Sequence, residues 1–279
     1  MLACRINGID SRQLEITDRA CQYGDGLFET LAVRNGKVEF LAAHLQRLAE
    51  GARALDIPMP DAALWQADIR EILIGRQQAV LKLMLSRGSG GRGYLAPDDP
   101  VVSRIVMLHP WPVHPPEHVE QGVRVRLCQT RLAEQTRLAG IKHLNRLEQI
   151  LARREWEDEA IQEGLMLDTR DRVIEGTMSN LFWLKGDTLH TPDLSACGVK
   201  GIIRQQIIEL APTLGLDLRV GDYNREALDK ADGLFLTNSV IGLWPVRQLE
   251  ERLFDPIPGI KLIQDKLDAV RWQYAESDF

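Results

Sequence analysis

The sequence has few cysteines: four in 279 residues, with no Cys-x-x-Cys pair among them. A disulfide framework or a zinc site needs closely grouped cysteines, so the sequence predicts neither, and no metal site. Scattered cysteines are typical of reduced thiols in the cytoplasm, where each serves as a small apolar side chain. They are Cys4, Cys21, Cys128 and Cys197.

Long apolar runs and an excess of positive charge are also missing. No segment approaches the ~20 apolar residues that a membrane helix needs. The net charge is −6, whereas nucleic-acid binding requires a concentrated basic face. The first residues lack the charged and then apolar layout of a secretion signal. We therefore expect a cytoplasmic protein with no membrane and no nucleic-acid partner.

At 279 residues the chain is long for a single core, which favours two domains. The clearest break in composition is at 109–118, where four of ten residues are proline. Because proline cannot continue a helix or a central strand, we predict an extended linker there. The predicted domains are 1–108, a small N-terminal domain, and 119–279, a larger C-terminal domain.

Apolar runs before the linker predict an antiparallel sheet with helices on one side. Asn35-Gly36 lies between two such runs and predicts a hairpin. Leucine and alanine recur at helical spacing from Leu41 to Leu55, and a second helix is predicted at 62–74. The predicted strands are 3–6, 27–33, 80–85 and 104–108.

After the linker the patterns predict a mixed α/β domain. Its predicted strands are 123–127, 165–168, 181–184, 218–220 and 233–237. Its predicted helices are 144–156, 202–214, 226–231 and 260–274.

Lysine is scarce, with eight residues, and one of them stands in unusual surroundings. Lys142 lies in the run AGIKHLNRLE (139–148), between an apolar residue and a predicted helix start. Desolvation lowers the pKa of an ammonium group, which suits a lysine that forms a Schiff base with a carbonyl. Taken alone, such a lysine is more often a helix residue that extends its charge to solvent.

Glu175 opens a second run, EGTMSNLF (175–182). The carboxylate can be a simple turn residue before Gly176. It can also pair with the ring nitrogen of a pyridine cofactor, which keeps that ring protonated and able to accept electrons.

Together the two runs resemble the fold-type IV enzymes, which depend on pyridoxal 5'-phosphate (PLP). The run around Lys142 resembles the aminodeoxychorismate lyase family at nearly every position. D-amino acid aminotransferases share only Lys-Ser-Leu-Asn there, and branched-chain aminotransferases continue with a glycine-rich stretch. The resemblance implies a two-domain α/β (α+β) fold with a small sheet-and-helix domain, a larger barrel-like domain and PLP between them. It also implies a homodimer, since family members complete each site with a neighbouring subunit's loop.

The resemblance extends to residues that would bind the cofactor phosphate. A glycine-bearing segment, 198–204, leads into a helix whose first amides would face an anion. The arginine of a His-x-x-Arg-Leu segment, here Arg47, reaches the phosphate in the family. Without the resemblance these would be an ordinary helix start and a solvated charge. The family often has threonine where Ile203 stands, so that hydroxyl contact is absent. The implied cofactor-binding set is Arg47, Lys142, Glu175, Val199, Ile202, Ile203, Asn238 and Ser239.

The run SRGSGGRGY (86–94) also resembles the lyase family. It lacks the Lys-Ser/Thr ending of a nucleotide-binding loop, and a flexible hairpin is its plainer interpretation. By position Arg92 and Tyr94 correspond to carboxylate binders in D-amino acid aminotransferases, and either Arg87 or Arg92 can make the contact. Phe28 and Thr30 are expected to line the substrate side of the pocket.

The implied reaction is that of a lyase in folate synthesis. It converts 4-amino-4-deoxychorismate to 4-aminobenzoate and pyruvate, with Lys142 as general base and Glu175 on the ring nitrogen. One alternative is a D-amino acid or branched-chain aminotransferase with the same lysine and glutamate. Another is a PLP-binding protein without catalysis. The residues after Lys142 and the arginine-bearing loop favour the lyase.

Overall fold

The computed structural model describes residues 1–90, 92–273 and 275–276. Residue contacts divide the chain into two compact units. The first unit consists of Met1–Pro112, Ile141–Asn145 and Arg271–Phe279, and the second of Val113–Gly140 and Arg146–Val270. Among the described residues, no helix has the length and apolar character that a bilayer crossing requires.

The first part of the chain contains six strands and three helices within the described residues. They are β1 (Ala3–Ile6), β2 (Ile9–Asp10), α1 (Arg19–Tyr23), β3 (Gly26–Arg34), β4 (Lys37–Glu39), α2 (Leu41–Ala54), α3 (Ala62–Leu73), β5 (Gln78–Ser86) and β6 (Ser103–His109).

The remainder alternates strands with short helices. Its elements are α4 (Glu117–Glu120), β7 (Val123–Leu132), α5 (Leu147–Arg153), β8 (Glu163–Asp168), β9 (Val173–Gly176), β10 (Asn180–Lys185), β11 (Thr188–Pro192), α6 (Ile202–Leu210), a 3₁₀ turn (Ala211–Leu214), β12 (Asp217–Gly221), α7 (Arg225–Asp229), β13 (Gly233–Asn238), β14 (Gly242–Leu249), β15 (Arg252–Leu253), α8 (Pro258–Gln273) and β16 (Ala275–Glu276).

The first unit is built on an antiparallel seven-stranded sheet, in the order β16-β4-β3-β5-β6-β1-β2. The predicted hairpin joins β3 to β4. Its residues Asn35 and Gly36 have φ of 52° and 73°, the left-handed backbone that this turn requires. Alternate residues of β3 and β5 pack against α2 and α3, which confirms the predicted helices on one side of the sheet. This core includes Leu27, Leu31, Leu81, Leu83, Leu85, Leu41, Leu48, Trp65 and Ile69.

The second unit contains a closed barrel of six strands, in the order β10-β13-β14-β7-β8-β9. The ring closes where β9 meets β10, through the single pair of Glu175 with Asn180. Residues two apart on five of the six strands, together with Val173 of β9, meet in one hydrophobic cluster, as expected inside a small barrel. They are Val123, Val125, Leu165, Leu167, Val173, Leu181, Trp183, Leu234, Leu236, Trp244 and Val246.

Several predicted elements differ from the observed ones. The strands β9, β11 and β14 were absent from the prediction, and β14 contains Pro245, which normally argues against a strand interior. The predicted helix 202–214 divides into α6 and a 3₁₀ turn at Pro212, because proline cannot donate the next helical hydrogen bond. The last predicted helix is observed as α8, and its predicted end, Tyr274, lies outside the described residues.

The predicted helix 144–156 is the most informative difference, since α5 begins only at Leu147. The preceding residues lie beside β3 instead. The amide of Phe28 donates to the carbonyl of Lys142 at 3.0 Å, and the amide of Leu144 donates to the carbonyl of Gly26 at 3.0 Å. Lys142 therefore stands in an extended segment and not at a helix start.

The observed units also differ from the predicted division at 109–118. His109 is the last residue of β6, and α4 begins at Glu117, so the part without helix or strand is shorter than the predicted linker. The C-terminal end returns to the first unit, where Arg271 Nε donates to Glu39 Oε2 at 2.8 Å and β16 pairs with β4. Long-range pairings of this kind leave no signal in local composition.

Candidate active site

The first unit presents Lys142 beside an aromatic ring. Its ammonium nitrogen lies 4.4 Å from the centroid of the Phe28 ring. A bridge between Leu27 and His143 continues the antiparallel pairing of this segment with β3. The backbone of Lys142 is therefore fixed by a strand, while its half-buried side chain lies over Phe28.

A second lysine contacts the same ring. Lys82 on β5 has its ammonium nitrogen 5.1 Å from the Phe28 centroid, and its strand position is directly opposite Thr30. Burial lowers the pKa of Lys82, and no carboxylate of the described residues forms an ion pair with it. Phe28, Thr30 and Lys82 share the face of the sheet that α2 and α3 leave uncovered. Two ammonium groups on one ring make this face electropositive.

Arg47 belongs to a buried cluster with Glu29 of β3 and His44 of α2. Its Nε donates to Glu29 Oε1 at 2.8 Å, its Nη2 contacts Glu29 Oε2, and His44 Nδ1 lies 2.5 Å from Glu29 Oε2. Burial opposes ionisation of Glu29, but Arg47 and His44 together hold the pKa of its carboxyl at about 2. The bidentate contact fixes the guanidinium plane of Arg47.

The predicted substrate residues of the glycine-rich run have different surroundings. Arg87 is 7% exposed, and its donors reach Asp25 and the carbonyls of Leu55 and Asp56. Arg92 and Tyr94 are exposed, Tyr94 to 88%. Of the two arginines between which the sequence left the choice open, Arg92 is the one placed at the surface.

In the second unit, Glu175 is fixed by its neighbours where the barrel closes. It is 5% exposed, and its Oε2 accepts from the amide of Val199 at 2.9 Å and from Asn180 Nδ2 at 3.2 Å. Asn180 Nδ2 also donates to the carbonyl of Val199 at 2.8 Å. Glu175 and Val199, predicted on separate segments, are thus in direct contact.

Two glycines allow the segment before α6 to approach this carboxylate. Gly198 has φ of 83°, and a Cβ there would lie 2.9 Å from side-chain carbons of Ile174 and Leu194. At Gly201 a Cβ would lie 2.0 Å from Asn180 Oδ1. A larger residue at either position has to displace the side chains that hold Glu175.

The start of α6 is suited to an anion. Its N-cap is Gly201, which supplies no side-chain cap, so the first amides, at Ile202 and Ile203, lie at the positive end of the helix dipole. Both isoleucine side chains are buried, so only their backbone is available to a ligand. Arg204 is buried in the same turn and donates to Thr191 Oγ1 and to the carbonyl of Pro192, at 3.3 and 2.9 Å. Its charge adds to the positive potential.

The turn after β13 completes the second unit's cluster. Asn238 Oδ1 accepts from the amides of Val240 and Ile241, both at 2.9 Å, and its Nδ2 donates to the carbonyl of Met178 at 3.1 Å. The Asn238 side chain therefore shapes the turn that presents Ser239. The hydroxyl of Thr237, which is 1% exposed, has no hydrogen-bond partner within the described part of the chain.

A buried carboxylate, Glu163, supports the turn between β9 and β10. It accepts from the amides of Gly164, Thr177 and Met178 and from the hydroxyls of Thr177 and Ser179, at 2.5 to 3.1 Å. Burial raises the pKa of Glu163, whereas these five donors favour its ionised form. The turn that it orders joins Glu175 to Asn180.

Each unit presents side chains or amides of the kinds that a pyridine cofactor with a phosphate requires. Such a cofactor needs an amine for its aldehyde, a carboxylate for its ring nitrogen and donors for its phosphate. Lys142 and Arg47 in the first unit, and Glu175 and the start of α6 in the second, are groups of these kinds. The unpartnered hydroxyl of Thr237 is a further donor next to the predicted phosphate contacts.

Four residues of these clusters were not singled out from the sequence: Glu29, Lys82, Glu163 and Asn180. Glu29 and Asn180 stand inside the runs GDGLFET and EGTMSNLF, so a charged or amide residue within a strand was their signal. Lys82 interrupts the apolar run AVLKLML in the same way. Glu163 precedes a glycine and offers no such pattern.

Comparison with known proteins identifies close relatives. The family Amino-transferase class IV matches residues 26–249. An aminodeoxychorismate lyase of Vibrio harveyi is 35% identical over 246 residues, which cover 86% of this chain and 89% of the relative. A putative branched-chain-amino-acid aminotransferase of Methanocaldococcus jannaschii is 29% identical, over 90% of this chain and 88% of the relative.

Among the solved structures, too, a lyase is more similar to this chain than a branched-chain aminotransferase is. The 4-amino-4-deoxychorismate lyase of Pseudomonas aeruginosa superposes with a TM-score of 0.91 at 45% identity, covering 95% of this chain and 98% of that one. A branched-chain amino acid aminotransferase of Escherichia coli superposes with a TM-score of 0.82 at 25% identity, covering 99% and 97%. The two lyases are the more similar in both comparisons.

The pH dependence of the free energy of unfolding tests the Glu29 cluster. The folded pKa of Glu29, about 2, is below the ordinary 4.5, so its contribution to stability is complete above pH 4.5 and is lost as pH falls towards 2. Glu29→Gln should lower the free energy of unfolding at pH 7 by about 3 kcal/mol and flatten its decline between those pH values. Urea unfolding at stepped pH measures both. Glu15→Gln, at an exposed position, is the control; equal pH profiles for Glu29→Gln and the unsubstituted protein would contradict the assignment.

Proposed function

Because the chain belongs to the Amino-transferase class IV family, we propose that it is a PLP-dependent lyase that converts 4-amino-4-deoxychorismate to 4-aminobenzoate and pyruvate. This is a step of folate synthesis. The observation that carries the proposal is the placement of Lys142, held by strand pairing beside Phe28 and Lys82, in a chain 45% identical to a solved lyase. The closed barrel and the helix-covered sheet are those of a fold-type IV enzyme.

PLP, when bound, supplies an aldehyde for an amine and a ring that accepts electrons. The proposal assigns its covalent attachment to Lys142 Nζ and its ring nitrogen to Glu175. The phosphate contacts are assigned to Arg47, the amides of Ile202 and Ile203, and the turn of Asn238 and Ser239. Val199, whose amide and carbonyl hold Glu175 and Asn180, is assigned to pack on the ring.

Lys142 has a second task as the general base. Its Nζ, once released as an amine, takes the proton from the substrate carbon that bears the amino group. The contact with Phe28 replaces water on one side of this nitrogen. Glu175, fixed by two donors on one oxygen, holds a proton on the ring nitrogen. Loss of the enolpyruvyl group breaks its C–O bond to the ring and makes the ring aromatic, and Lys142 Nζ or a water returns a proton to the departing group, which becomes pyruvate.

The substrate carries two carboxylates, and the open face of the first unit offers a cation for one of them. Lys82 is partly desolvated and pairs with no acidic residue of the described chain, so an anionic ligand would relieve its burial. Arg47 donates to Glu29, whereas Lys82 contacts the Phe28 ring, so the assigned phosphate contact and the assigned carboxylate contact are different cations. We assign Lys82 to one substrate carboxylate and Arg92, near Tyr94, to the other, with Phe28 and Thr30 beside them.

The oligomeric state and the cellular location belong to the same proposal. We infer a homodimer, supported by an exposed apolar face on α5 formed by Leu147, Ile150 and Leu151, which are 73%, 53% and 54% exposed. Equilibrium sedimentation of the holoenzyme should give the mass of two chains. We also infer a cytoplasmic location, supported by four free cysteines, three of them buried.

The alternative is a branched-chain or D-amino acid aminotransferase. The lower identity of the branched-chain relatives, 29% for that of Methanocaldococcus jannaschii and 25% for the solved Escherichia coli enzyme, disfavours it. Incubation of the holoenzyme with D-alanine or L-leucine and 2-oxoglutarate separates the two functions. A lyase forms 4-aminobenzoate far faster than it transfers an amino group, and the opposite ratio would support the alternative.

Variants at Lys142 and Glu175 test the chemistry. Lys142→Ala should lose the cofactor's visible absorbance and 4-aminobenzoate formation together, a fall of at least ~10²–10⁴-fold because the general base is absent. Glu175→Gln should retain bound cofactor while turnover falls strongly. Activity is measured with chorismate, glutamine and a purified synthase as the substrate source. Full turnover in either variant would remove that residue from the mechanism.

Lys82→Met tests the substrate contact. Loss of a charge-assisted hydrogen bond should lower kcat/KM by roughly 10- to 100-fold, mainly through KM. Cofactor affinity should stay unchanged, because Lys82 is assigned to the substrate alone. Lys266→Met, at an exposed position, controls for the loss of one charge. An unchanged KM would exclude Lys82 as a carboxylate binder.

A further inference from the structure

Two runs of the sequence converge on one carboxylate in the first unit. Asp25 is the central residue of Gly24-Asp25-Gly26, and its side chain contacts two arginines that hold the glycine-rich run 86–94. None of the proposed catalytic or cofactor roles uses Asp25, Arg19 or Arg87. The geometry of these three residues indicates a device for holding the arginine-bearing loop.

Arg87 fixes the beginning of this loop. Its Nε donates to Asp25 Oδ2 at 2.8 Å and its Nη2 to Asp25 Oδ1 at 3.2 Å. Further bonds of 2.7 and 2.6 Å reach the carbonyls of Leu55 and Asp56, directly after α2. Four hydrogen bonds to fixed groups leave Arg87 as an anchor and not as a ligand-binding group.

Arg19 holds the far side of the loop. Its Nε donates to Asp25 Oδ2 at 2.7 Å, and the rest of its guanidinium donates to three successive carbonyls, those of Gly93, Tyr94 and Leu95, at 3.1, 3.0 and 3.4 Å. Arg19 is 3% exposed. A planar fork of donors on consecutive carbonyls fixes the course of the backbone that follows Arg92.

The backbone on both sides of Asp25 is bonded to the lysine segment. The carbonyl of Gly24 accepts from Asn145 Nδ2 at 3.0 Å, and that of Gly26 accepts from the amide of Leu144 at 3.0 Å. A Cβ at Gly26 would lie 2.8 Å from Leu144 Cδ1 and 2.4 Å from the carbonyl oxygen of Leu85 in β5, so the close approach of both neighbours requires glycine. One residue thus joins the segment of Lys142 to both ends of the loop.

We propose that Asp25 is a positioning residue that, through Arg19 and Arg87, sets the place of Arg92 and Tyr94 relative to Lys142 for binding of the substrate carboxylate. The inference rests on the proposed function for the identity of that ligand. Its structural part, the holding of the loop, is independent of the reaction.

The charge of Asp25 is suited to this task. Burial opposes its ionisation, but the two guanidinium groups hold the pKa of its carboxyl below the ordinary value. An amide in its place keeps the shape and presents a donor to guanidinium donors. Asp25→Asn should therefore release the loop while the strands around it remain. Arg19→Lys keeps a cation beside Asp25 and loses the fork that reaches three carbonyls.

The experiment compares Asp25→Asn and Arg19→Lys with Asp98→Asn, a control at an exposed position of the same region. The rate of trypsin cleavage after Arg92, identified by fragment mass, measures how often the loop opens in the protein without substrate. Kinetics with 4-amino-4-deoxychorismate give KM and kcat, and a PLP titration gives the affinity for the cofactor. Both variants should be cleaved roughly tenfold faster after Arg92, because proteolysis follows the open population. KM should rise by roughly tenfold or more, with kcat and PLP affinity close to those of the control.

Each outcome decides the proposal. Unchanged cleavage in folded variants overturns it, and so does faster cleavage with an unchanged KM, because the loop would then have no part in substrate binding. A joint loss of kcat and PLP affinity overturns it too, since Asp25 would support the whole unit. If Asp25→Asn does not fold, Arg19→Lys decides by the same readouts. If the unsubstituted protein forms no 4-aminobenzoate, the proposed function fails while the cleavage result still tests the holding of the loop.

Discussion

Two hydrogen bonds between residues 142–144 and β3 position the lysine around which the proposed site is built. They hold a stretch with helical sequence character in an extended conformation beside β3, and they place the Lys142 side chain over Phe28. The glycines of the Gly24-Asp25-Gly26 run admit this approach, and Asp25 extends it to the arginine-bearing loop.

In the first unit, three arginines contact carboxylates, whereas Lys82 contacts an aromatic ring. Arginines that shape the fold, Arg19, Arg87 and Arg47, each contact a buried or half-buried carboxylate, which offsets the cost of removing both charges from water. Lys82 has no such partner within the described chain and contacts an aromatic ring. The second unit uses the complementary arrangement, in which Glu175 and Glu163 are held by amides, hydroxyls and an amide side chain. The lysine of the first unit suits a substrate with two negative charges. The fixed carboxylate of Glu175 in the second unit suits a cofactor with a protonated ring.

The sequence predicted features that depend on local pattern. The Asn35-Gly36 hairpin and the helix-covered sheet were confirmed because turn chemistry and apolar spacing act over a few residues. The strand β9 was missed because a charged residue and a glycine in Val173–Gly176 hide its apolar pattern, and β14 because it contains Pro245. Lys82 could not be assigned without knowing that β5 pairs with β3, which puts Lys82 and Phe28 on one face. Arg87 was indistinguishable from Arg92 until its partners, Leu55 and Asp56, were known from the fold.

In the proposed enzyme one amine, that of Lys142, is the point of covalent attachment for the cofactor. Borohydride reduction of the holoenzyme followed by peptide mass mapping identifies the lysine that carries it. We expect a phosphopyridoxyl adduct on the peptide that contains Lys142 and none on the peptide that contains Lys82, although both ammonium groups lie over the same ring. An adduct on Lys82, or no adduct at either lysine at saturating PLP, would show that Lys142 is not the attachment site.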